Sequence, residues 1–264
     1  MKRTIWWVLL VVVLGGGAAA YYYWQQSLRQ PVPPQPSKTA APPAPVSTAP
    51  PILHPLETNE AQPLPALGES DAAVWEALAE LLGKKSLAEF FYTDLIIRRI
   101  VATIDNLPRK KAPMRVMPVK PVPPLFARAG TQDNMVISPG NAARYAAYVR
   151  VVQAVDARKL VDVYIRFYPL FQRAYEELGF PKSYFNDRLV ETLDDLLAAP
   201  DIKGPIKLTQ PKVMYEFADS ALEARSAGQK IMIRMGSENA ARVKARLREI
   251  RHEVTSRELK PKRP

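Results

Sequence analysis

Residues 5–24 read IWWVLLVVVLGGGAAAYYYW, a run of twenty residues without a charge. A helix rises about 1.5 Å per residue, so a helical run of this length crosses the roughly 30 Å hydrocarbon layer of a bilayer. Aromatic side chains stand at both ends of the run, where amphipathic rings prefer the level of the lipid headgroups. The stretch therefore predicts one N-terminal transmembrane helix, from which the rest of the chain is suspended.

Two other interpretations of this stretch stay open. A cleaved signal peptide would use the small residues 18–20 as its cleavage site, although residues 21–24 continue the apolar run past that point. A buried core helix is the other alternative, but it would not need aromatic residues at both ends. A lipid-modified N terminus is excluded, because the chain has no cysteine to acylate.

Nearby positive charges set the orientation of the predicted helix. Lys2 and Arg3 precede it, while Arg29 and Lys38 follow it. Residues 1–4 are too few to form a folded domain, so the positive-inside rule assigns them to the cytoplasm and the bulk of the chain to the other side. This predicts a single-pass protein of the bacterial inner membrane whose C-terminal domain lies in the periplasm.

A proline-rich segment separates the predicted anchor from the folded part of the chain. Residues 31–66 contain twelve prolines, with Ala, Ser, Thr and Gln around them. Such a composition cannot bury enough apolar surface to offset its ordering entropy, so residues 25–66 are predicted to be a disordered linker. A spacer is the simpler interpretation, and a proline-rich ligand for a partner domain is the alternative.

Helical periodicity runs through residues 67–254, which predicts a mainly helical domain with small β-hairpins, an α+β fold. Ser86 followed by Glu89 has the spacing of a capping box, so one helix is expected from Ser86 to Ile104. Because this helix would be apolar on most sides, it is predicted to form the buried centre of the domain.

Cap and turn residues divide the remainder of the domain. Asp156 and Ser183 are predicted to cap two further helices, and a final long helix is expected after Gly228. Two short strand pairs are expected within residues 125–137 and 206–217. These elements place most of the chemistry-bearing side chains on helices.

The chain has a net charge of +11, and much of it is concentrated at the C-terminal end. Residues 230–264 hold eleven Lys or Arg against four Glu, and residues 255–264 are predicted to be a basic disordered tail. A solvated helix face is one interpretation, and contact of the basic C-terminal helix with an anionic surface or a protein partner is the other. The predicted topology argues against nucleic acid as a partner.

Residue types exclude several kinds of active site. The chain has no cysteine and two histidines, His54 in the predicted linker and His252 near the end of the last helix. A His/Cys zinc site and a Ser-His-Asp triad within the folded middle are therefore excluded. The folded part also has no glycine-rich phosphate loop. The sequence thus predicts no metal and no cofactor, and it favours a protein that is not an enzyme.

Four carboxylates remain as candidates for chemistry. They are expected near one face of the helix after Ser183: Asp187, Glu191, Asp194 and Asp195. The structural interpretation is that Arg166, Arg173 or the last helix pairs with them. The catalytic alternative makes Asp187 and Glu191 the acid and base of a glycan hydrolase, and an oxygen-ligand cation site is the third interpretation.

Two polar clusters combine side chains that bind backbone atoms with a fork-shaped arginine donor. They are Asp105, Asn106 and Arg109 at the end of the most apolar helix, and Asn186, Asp187 and Arg188 at the start of another. Either they tie loops to the domain, or they line a binding groove. They are the candidate binding residues of the chain.

Several strings within residues 67–254 resemble a proteobacterial family known as domain of unknown function 3014. They are LIIRR (95–99), VATIDNLPR (101–109), YPLFQ (168–172), YFNDR (184–188), GQK (228–230) and RMG (234–236). The resemblance implies an envelope protein with a single span and a proline-rich spacer, and it carries no activity or site.

The sequence as a whole therefore favours a membrane-anchored envelope protein whose periplasmic helical domain is a binding or scaffolding module. The alternative is a carboxylate-dependent hydrolase that acts on envelope polysaccharide. A third hypothesis, a cytoplasm-facing domain that contacts nucleic acid, requires the opposite topology. A concave cleft with two facing carboxylates would favour the hydrolase.

Overall fold

A computed structural model describes residues 51–56 and 63–258 of the chain. The predicted transmembrane helix at residues 5–24, most of the predicted linker and the last six residues of the predicted tail lie outside these ranges. Within the ranges, none of the helices combines the length and the apolar character that crossing a bilayer requires. The transmembrane helix therefore stays a prediction.

The described residues form a mainly helical fold with two small antiparallel hairpins, which confirms the α+β prediction for this domain. The α-helices are α1 (Asp71–Leu82), α2 (Lys84–Phe90), α3 (Ile96–Asn106), α4 (Ala146–Ala154), α5 (Ala157–Glu177), α6 (Phe185–Leu197), α7 (Ser220–Glu223), α8 (Ala227–Arg234) and α9 (Ser237–Ser256). Short 3₁₀ helices span Leu67–Glu69, Met114–Val116, Gln132–Asn134 and Pro139–Tyr145.

Helix α5 is the centre of the domain, since α1, α3, α6 and α9 all pack against it. Its buried side chains recur at helical spacing: Val161, Phe167, Leu170, Phe171, Ala174 and Tyr175. Phe185, the first residue of α6, stacks on Phe171 with 5.6 Å between ring centroids. The largest apolar cluster of the described residues therefore forms around α5, and α3 is one of the helices around it.

The prediction of one helix from Ser86 to Ile104 is wrong, because α2 and α3 are separated by residues 91–95. Helix α2 begins at Lys84, and Ser86 lies inside it without capping it. The break is held by tertiary contacts, in which Phe91 pairs with Val119 in an isolated bridge. Capping residues are local signals and do not reveal a contact with a distant residue. The chain therefore bends at a position where its local sequence favours a continuous helix.

The predicted final helix is also two helices, α8 and α9. Gly236 separates them with a φ of 85°, in the left-handed region that favours glycine. Gly228 instead lies inside α8 at a close approach, where its amide donates to the Leu107 carbonyl at 2.9 Å and an added Cβ would lie 2.6 Å from Leu196 Cδ2. Helix α6 begins at Phe185, two residues after the predicted cap Ser183.

Two hairpins form a small β region beside the helices. Strand β1 (Arg128–Ala129) pairs with β2 (Val136–Ile137), and β3 (Leu208–Thr209) pairs with β4 (Glu216–Phe217). Backbone hydrogen bonds between the two hairpins, Ile137 N to Ile206 O and Leu208 N to Met135 O, join them. The two strand pairs predicted from the sequence are thus confirmed, with shorter strands.

Candidate functional site

The two polar clusters singled out in the sequence meet at the C-terminal end of α3, because α3 packs against α6. The Asp105 side chain is 6% exposed, and its Oδ2 accepts a hydrogen bond from Arg109 Nη2 at 2.7 Å. From α6, Arg188 Nε lies 3.3 Å from Asp105 Oδ1, within ion-pair distance but outside hydrogen-bond geometry. Arg188 Nη2 also donates to the Asp105 carbonyl at 2.5 Å.

Arg188 is the more buried of the two arginines that hold Asp105. Its side chain is 15% exposed, whereas that of Arg109 is 51% exposed. Arg188 Nη1 additionally donates to Glu191 Oε2 at 2.7 Å. Since low exposure strengthens an ion pair and raises the cost of breaking it, the contact that matters most here joins α3 to α6. The sequence alone paired Asp105 with Arg109.

Side chains from α6 and backbone amides from α8 close the C-terminal end of α3. Thr192 Oγ1 donates to the Ile104 carbonyl at 2.9 Å, and the amides of Ala227 and Gly228 donate to the carbonyls of Arg109 and Leu107. Terminal helix carbonyls need such partners, because they have none within the helix. Asn106 stays within its own helix, donating from Nδ2 to Ala102 O at 2.7 Å. This cluster ties three helices together.

The other half of the second cluster binds a peptide segment. Asp187 accepts two backbone N–H groups, that of Leu53 at Oδ2 over 3.1 Å and that of His54 at Oδ1 over 2.8 Å. Asn186, which is fully buried, donates from Nδ2 to the His54 carbonyl at 2.8 Å and accepts from Tyr164 Oη at 3.0 Å. Asn186 and Asp187 therefore hold the backbone of a segment that bends at Leu53 and His54.

Further contacts hold this segment, residues 51–56, which we call the docked segment. His54 Nδ1 lies 2.7 Å from Glu258 Oε1, and Leu56 pairs with Glu258 in an antiparallel bridge. Leu56 is 8% exposed. The docked segment thus connects the N-terminal end of α6 with Glu258, two residues beyond the end of α9. The sequence assigned it to the linker.

Sequence reasoning missed His54, Glu258 and Tyr164 as parts of this site. The available signal was compositional: Ile52, Leu53 and Leu56 are bulky apolar residues within a segment otherwise rich in Pro, Ala and Thr. Of the six candidate residues, Asn186 and Asp187 contact the docked segment. Asp105, Arg109 and Arg188 meet at the C-terminal end of α3, and Asn106 bonds within α3.

Tyrosines beneath the site stay protonated at neutral pH. Burial raises the pKa of Tyr164 well above its usual range, and the neighbouring Tyr168 and the Asp187 carboxylate raise it further. Burial likewise raises the pKa of Tyr168 to about 12. Tyr164 is therefore a reliable hydrogen-bond donor to Asn186, which leaves the Asn186 amide nitrogen free to bind the docked segment.

The carboxylates of α6 are each engaged by a structural partner. Asp187 binds the docked segment and Glu191 binds Arg188, so these two do not face each other as an acid and a base would. Asp194 Oδ2 accepts from Arg251 Nη2 at 3.0 Å, and Asp195 accepts from Ser226 and Gln229. The expected pairing with the last helix thus holds for Asp194. The geometry gives no support to glycan hydrolysis.

The structure also tests the other predicted roles of the charged residues: arginine partners for the α6 carboxylates, a basic C-terminal surface and a cation site. Arg173 pairs with Glu177 and Arg166 lies over the Phe167 ring, so neither answers the α6 carboxylates. Arg251 and Arg257 of the basic C-terminal region form ion pairs with Asp194 and Asp162. Across residues 51–56 and 63–258, no three His, Asp or Glu side chains lie close enough together to hold a metal ion.

A second ion pair joins α7 to α8. Lys230 is 9% exposed, and its Nζ lies 2.8 Å from Glu223 Oε1, while Glu223 Oε2 accepts from the Phe217 amide at 2.9 Å. Burial raises the pKa of Glu223, but the hydrogen bonds from Lys230 and from the Phe217 amide outweigh it and lower the pKa below its usual value. The Glu223 carboxyl is therefore ionised at neutral pH.

Replacing Glu223 by Gln is expected to reduce the acid sensitivity of the domain. A folded-state pKa below the unfolded value near 4.5 stabilises the fold above that pH, and this contribution is lost as pH falls through the folded pKa. Thermal unfolding at neutral pH and at several values below about pH 4.5 checks this. The matched control is Glu238→Gln. Glu238 is an exposed partner of Arg242, so this variant should change the melting temperature neither at neutral pH nor at acidic pH. Parallel wild-type and Glu223→Gln curves would contradict it.

Comparison with known proteins identifies one matching family model. Its description is "Protein of unknown function (DUF3014)", and it matches residues 96–251. The match covers more than half of the chain and includes both polar clusters, while the docked segment lies outside it. No curated protein and no solved structure matches the chain.

Proposed function

Because the chain belongs to the DUF3014 family, whose function is unknown, we propose its function from its own contacts: it is a binding or scaffolding module, anchored to a membrane, whose helical domain holds the backbone of peptide segments at Asn186 and Asp187. The observation that carries this proposal is the docked segment. Two adjacent backbone N–H groups and one carbonyl of that segment bind the pair.

The chemistry of these contacts suits recognition of a peptide backbone. Asp187 accepts through both of its carboxylate oxygens, and hydrogen bonds to a carboxylate are roughly twice as strong as those between neutral groups. All three bonds go to backbone atoms, so they fix the bend of the segment at Leu53 and His54 and leave the choice of sequence to the flanking side chains. Leu56, which is buried, is the apolar anchor that supplies such a choice.

The docked segment also sets the length of the proposed tether. Residues 25–50 in polyproline II would reach at most roughly 80 Å, at about 3.1 Å per residue, whereas residues 25–66 would reach roughly 130 Å. Docking therefore shortens the stretch of chain that could act as a tether between the proposed anchor at residues 5–24 and the domain. A partner segment that displaces the docked segment would lengthen the tether. Binding of the partner would therefore increase the distance that the tether can span.

Variants without the docked segment are expected to bind its peptide in trans. With residues 52–56 of the full-length chain replaced by Gly and Ser, Asn186 and Asp187 lose their ligand, and a fluorescent peptide of residues 50–57 should bind. Fluorescence anisotropy measures the affinity. Asp187→Ala in this background should weaken binding at least tenfold, since two charge-assisted hydrogen bonds are lost.

The control peptide carries a methyl group on the backbone amide nitrogen of His54. This removes one hydrogen-bond donor and leaves every side chain in place. Binding of the methylated peptide should fall, but less than for Asp187→Ala, because one of the two hydrogen bonds to Asp187 is lost and not both. Equal binding of the two peptides would show that the site does not recognise the peptide backbone, and the proposal would fail.

Fusions at the C terminus are expected to report a periplasmic domain. Lys2 and Arg3 before an uncharged run of twenty residues motivate this orientation. Alkaline phosphatase fused after Pro264 should be active, and green fluorescent protein exported there by the general pathway should be dark. The reverse pattern would overturn the proposed topology. A mature chain that begins near Tyr21 would instead indicate a cleaved signal peptide.

A further inference from the structure

A cleft of about 370 Å³ opens between α3, the C-terminal end of α5 and the turn Met114–Val116. Its floor is apolar and consists of buried side chains of Val101, Ala102 and Ala174. Leu95 and Leu178 flank it and are 51% and 42% exposed. The cleft lies apart from Asn186 and Asp187, and its volume falls within the range of small-ligand sites.

Leu95, at the mouth of the cleft, has a backbone conformation that leucine rarely adopts. Its φ and ψ are 52° and 36°, in the left-handed region, and it is also the N-cap residue of α3. Asp71 enforces this geometry by accepting the amides of Leu95 and Ile96 at 2.7 and 2.8 Å. Asparagine would suit both the left-handed backbone and the N-cap better. An exposed leucine is therefore disfavoured twice at this position.

Strain of this kind persists at sites of function more often than elsewhere. Because half of the Leu95 side chain is exposed, burial within the domain does not explain the choice of leucine. An apolar ligand in the cleft would contact that exposed surface and would explain it.

The rim of the cleft carries an excess of positive charge. Arg98 and Arg173 both pair with Glu177, at 2.7 and 3.2 Å, and Arg99 pairs with Asp94 at 2.8 Å. No residue of the described ranges pairs with the guanidinium of Arg115, whose backbone carbonyl accepts from Arg99 Nη1 at 2.8 Å. The cleft itself is lined by three arginines (Arg98, Arg99 and Arg115) and one carboxylate (Glu177), which favours a negatively charged group at the rim.

We propose that this cleft binds an anionic amphiphile, a molecule with one short apolar chain and a carboxylate or phosphate head. The chain would lie on the apolar floor against Leu95 and Leu178, and the head would bind Arg115. The volume suits a single chain of about eight carbons, at the lower end of the range for ligand pockets. This site is independent of the peptide site at Asn186 and Asp187.

Photolabelling of the full-length protein in lipid nanodiscs tests the proposal. The probe is octanoate with a diazirine at the end of its chain, and labelled peptides are mapped by mass spectrometry. Label is expected on residues 95–102 and 174–178. Unlabelled octanoate and octyl phosphate should both compete, whereas octylamine should not. Competition by one head group alone identifies the head that the cleft takes.

Two variants separate a built site from incidental labelling. Arg115→Gln should reduce labelling at least fivefold, while Lys111→Gln, a matched loss of charge in the same loop, should not. Leu95→Asn should reduce labelling equally and leave the melting temperature unchanged or higher, because it relieves backbone strain.

Several results would overturn the proposal. Label confined to residues 5–24 would show that the probe enters the bilayer and not the cleft. Equal competition by octylamine would remove the role of the arginines. Unchanged labelling in both Arg115→Gln and Leu95→Asn would exclude the cleft as a binding site, even with both proteins correctly folded.

Discussion

Replacement of Arg188 by Ala is expected to lower the free energy of unfolding by about 3 kcal/mol, which corresponds to a melting temperature lower by roughly 6–12 °C. The variant would leave the Asp105 carboxylate, 6% exposed, without its partner from α6 and would leave the Asp105 carbonyl without its donor. The estimate is at the lower end for a broken buried pair because Arg109 still contacts Asp105. Far-ultraviolet circular dichroism of the full-length protein during heating measures the change.

Arg109→Ala is the matched control, since it removes the other arginine of the same carboxylate. Its side chain is 51% exposed, so solvent screens the pair and the expected cost is about 1 kcal/mol or less. Arg188→Lys keeps the charge but loses the planar fork, and it should fall between the two. An equal loss in Arg109→Ala and Arg188→Ala would show that the contact between α3 and α6 does not dominate.

Replacement of Phe185 by Ala is expected to cost about 3–5 kcal/mol, because it leaves a cavity in the largest apolar cluster. Phe185 is 1% exposed and stacks on Phe171, and its ring centroid lies 5.7 Å from that of Tyr175 and 6.3 Å from that of Tyr164. Aromatic pairs add to the free energy of burial, so the loss should be near the upper end of this range. Thermal unfolding measures it.

The same variant should loosen the docked segment, because the Phe185 ring lies beside the ring of Tyr164, whose hydroxyl donates to Asn186 Oδ1 at 3.0 Å. Hydrogen exchange at the amides of Leu53 and His54 should become faster at temperatures where the domain is still folded. Phe126→Ala is the control, since that half-buried ring packs against Tyr215 in the β region. It should leave both amides protected. Unchanged protection in Phe185→Ala would show that the site does not depend on the aromatic cluster.

The sequence by itself determined those features whose partner atoms lie within a few residues. Asp156 caps α5 by accepting the Lys159 amide, and Gly83 ends α1 with a φ of 79°. Both follow from local hydrogen bonding and backbone geometry. The hairpins and the α+β character follow in the same way from turn residues and periodicity. The apolar run at residues 5–24 rests on composition alone and remains a prediction.

The sequence also identified the residues of the candidate sites better than it identified their partners. The side chains of Asp105, Arg109, Asn186, Asp187 and Arg188 each bind backbone or charge, as their types favour. Which of them meet could not be predicted, because the packing of α3 against α6 is not fixed by the periodicity of either helix. The docked segment was hidden by its proline-rich surroundings.

Only the tertiary structure decided where the predicted helix is interrupted and which distant residues the docked segment contacts. Residues 91–95 interrupt a locally favoured helix because Asp71, on another helix, accepts the amides of Leu95 and Ile96. The free energy of such contacts between distant residues exceeds the few tenths of a kcal/mol by which most residues differ in helix propensity. The break in turn positions Leu95 beside the cleft, and the packing of α3 against α6 brings Arg188 to Asp105.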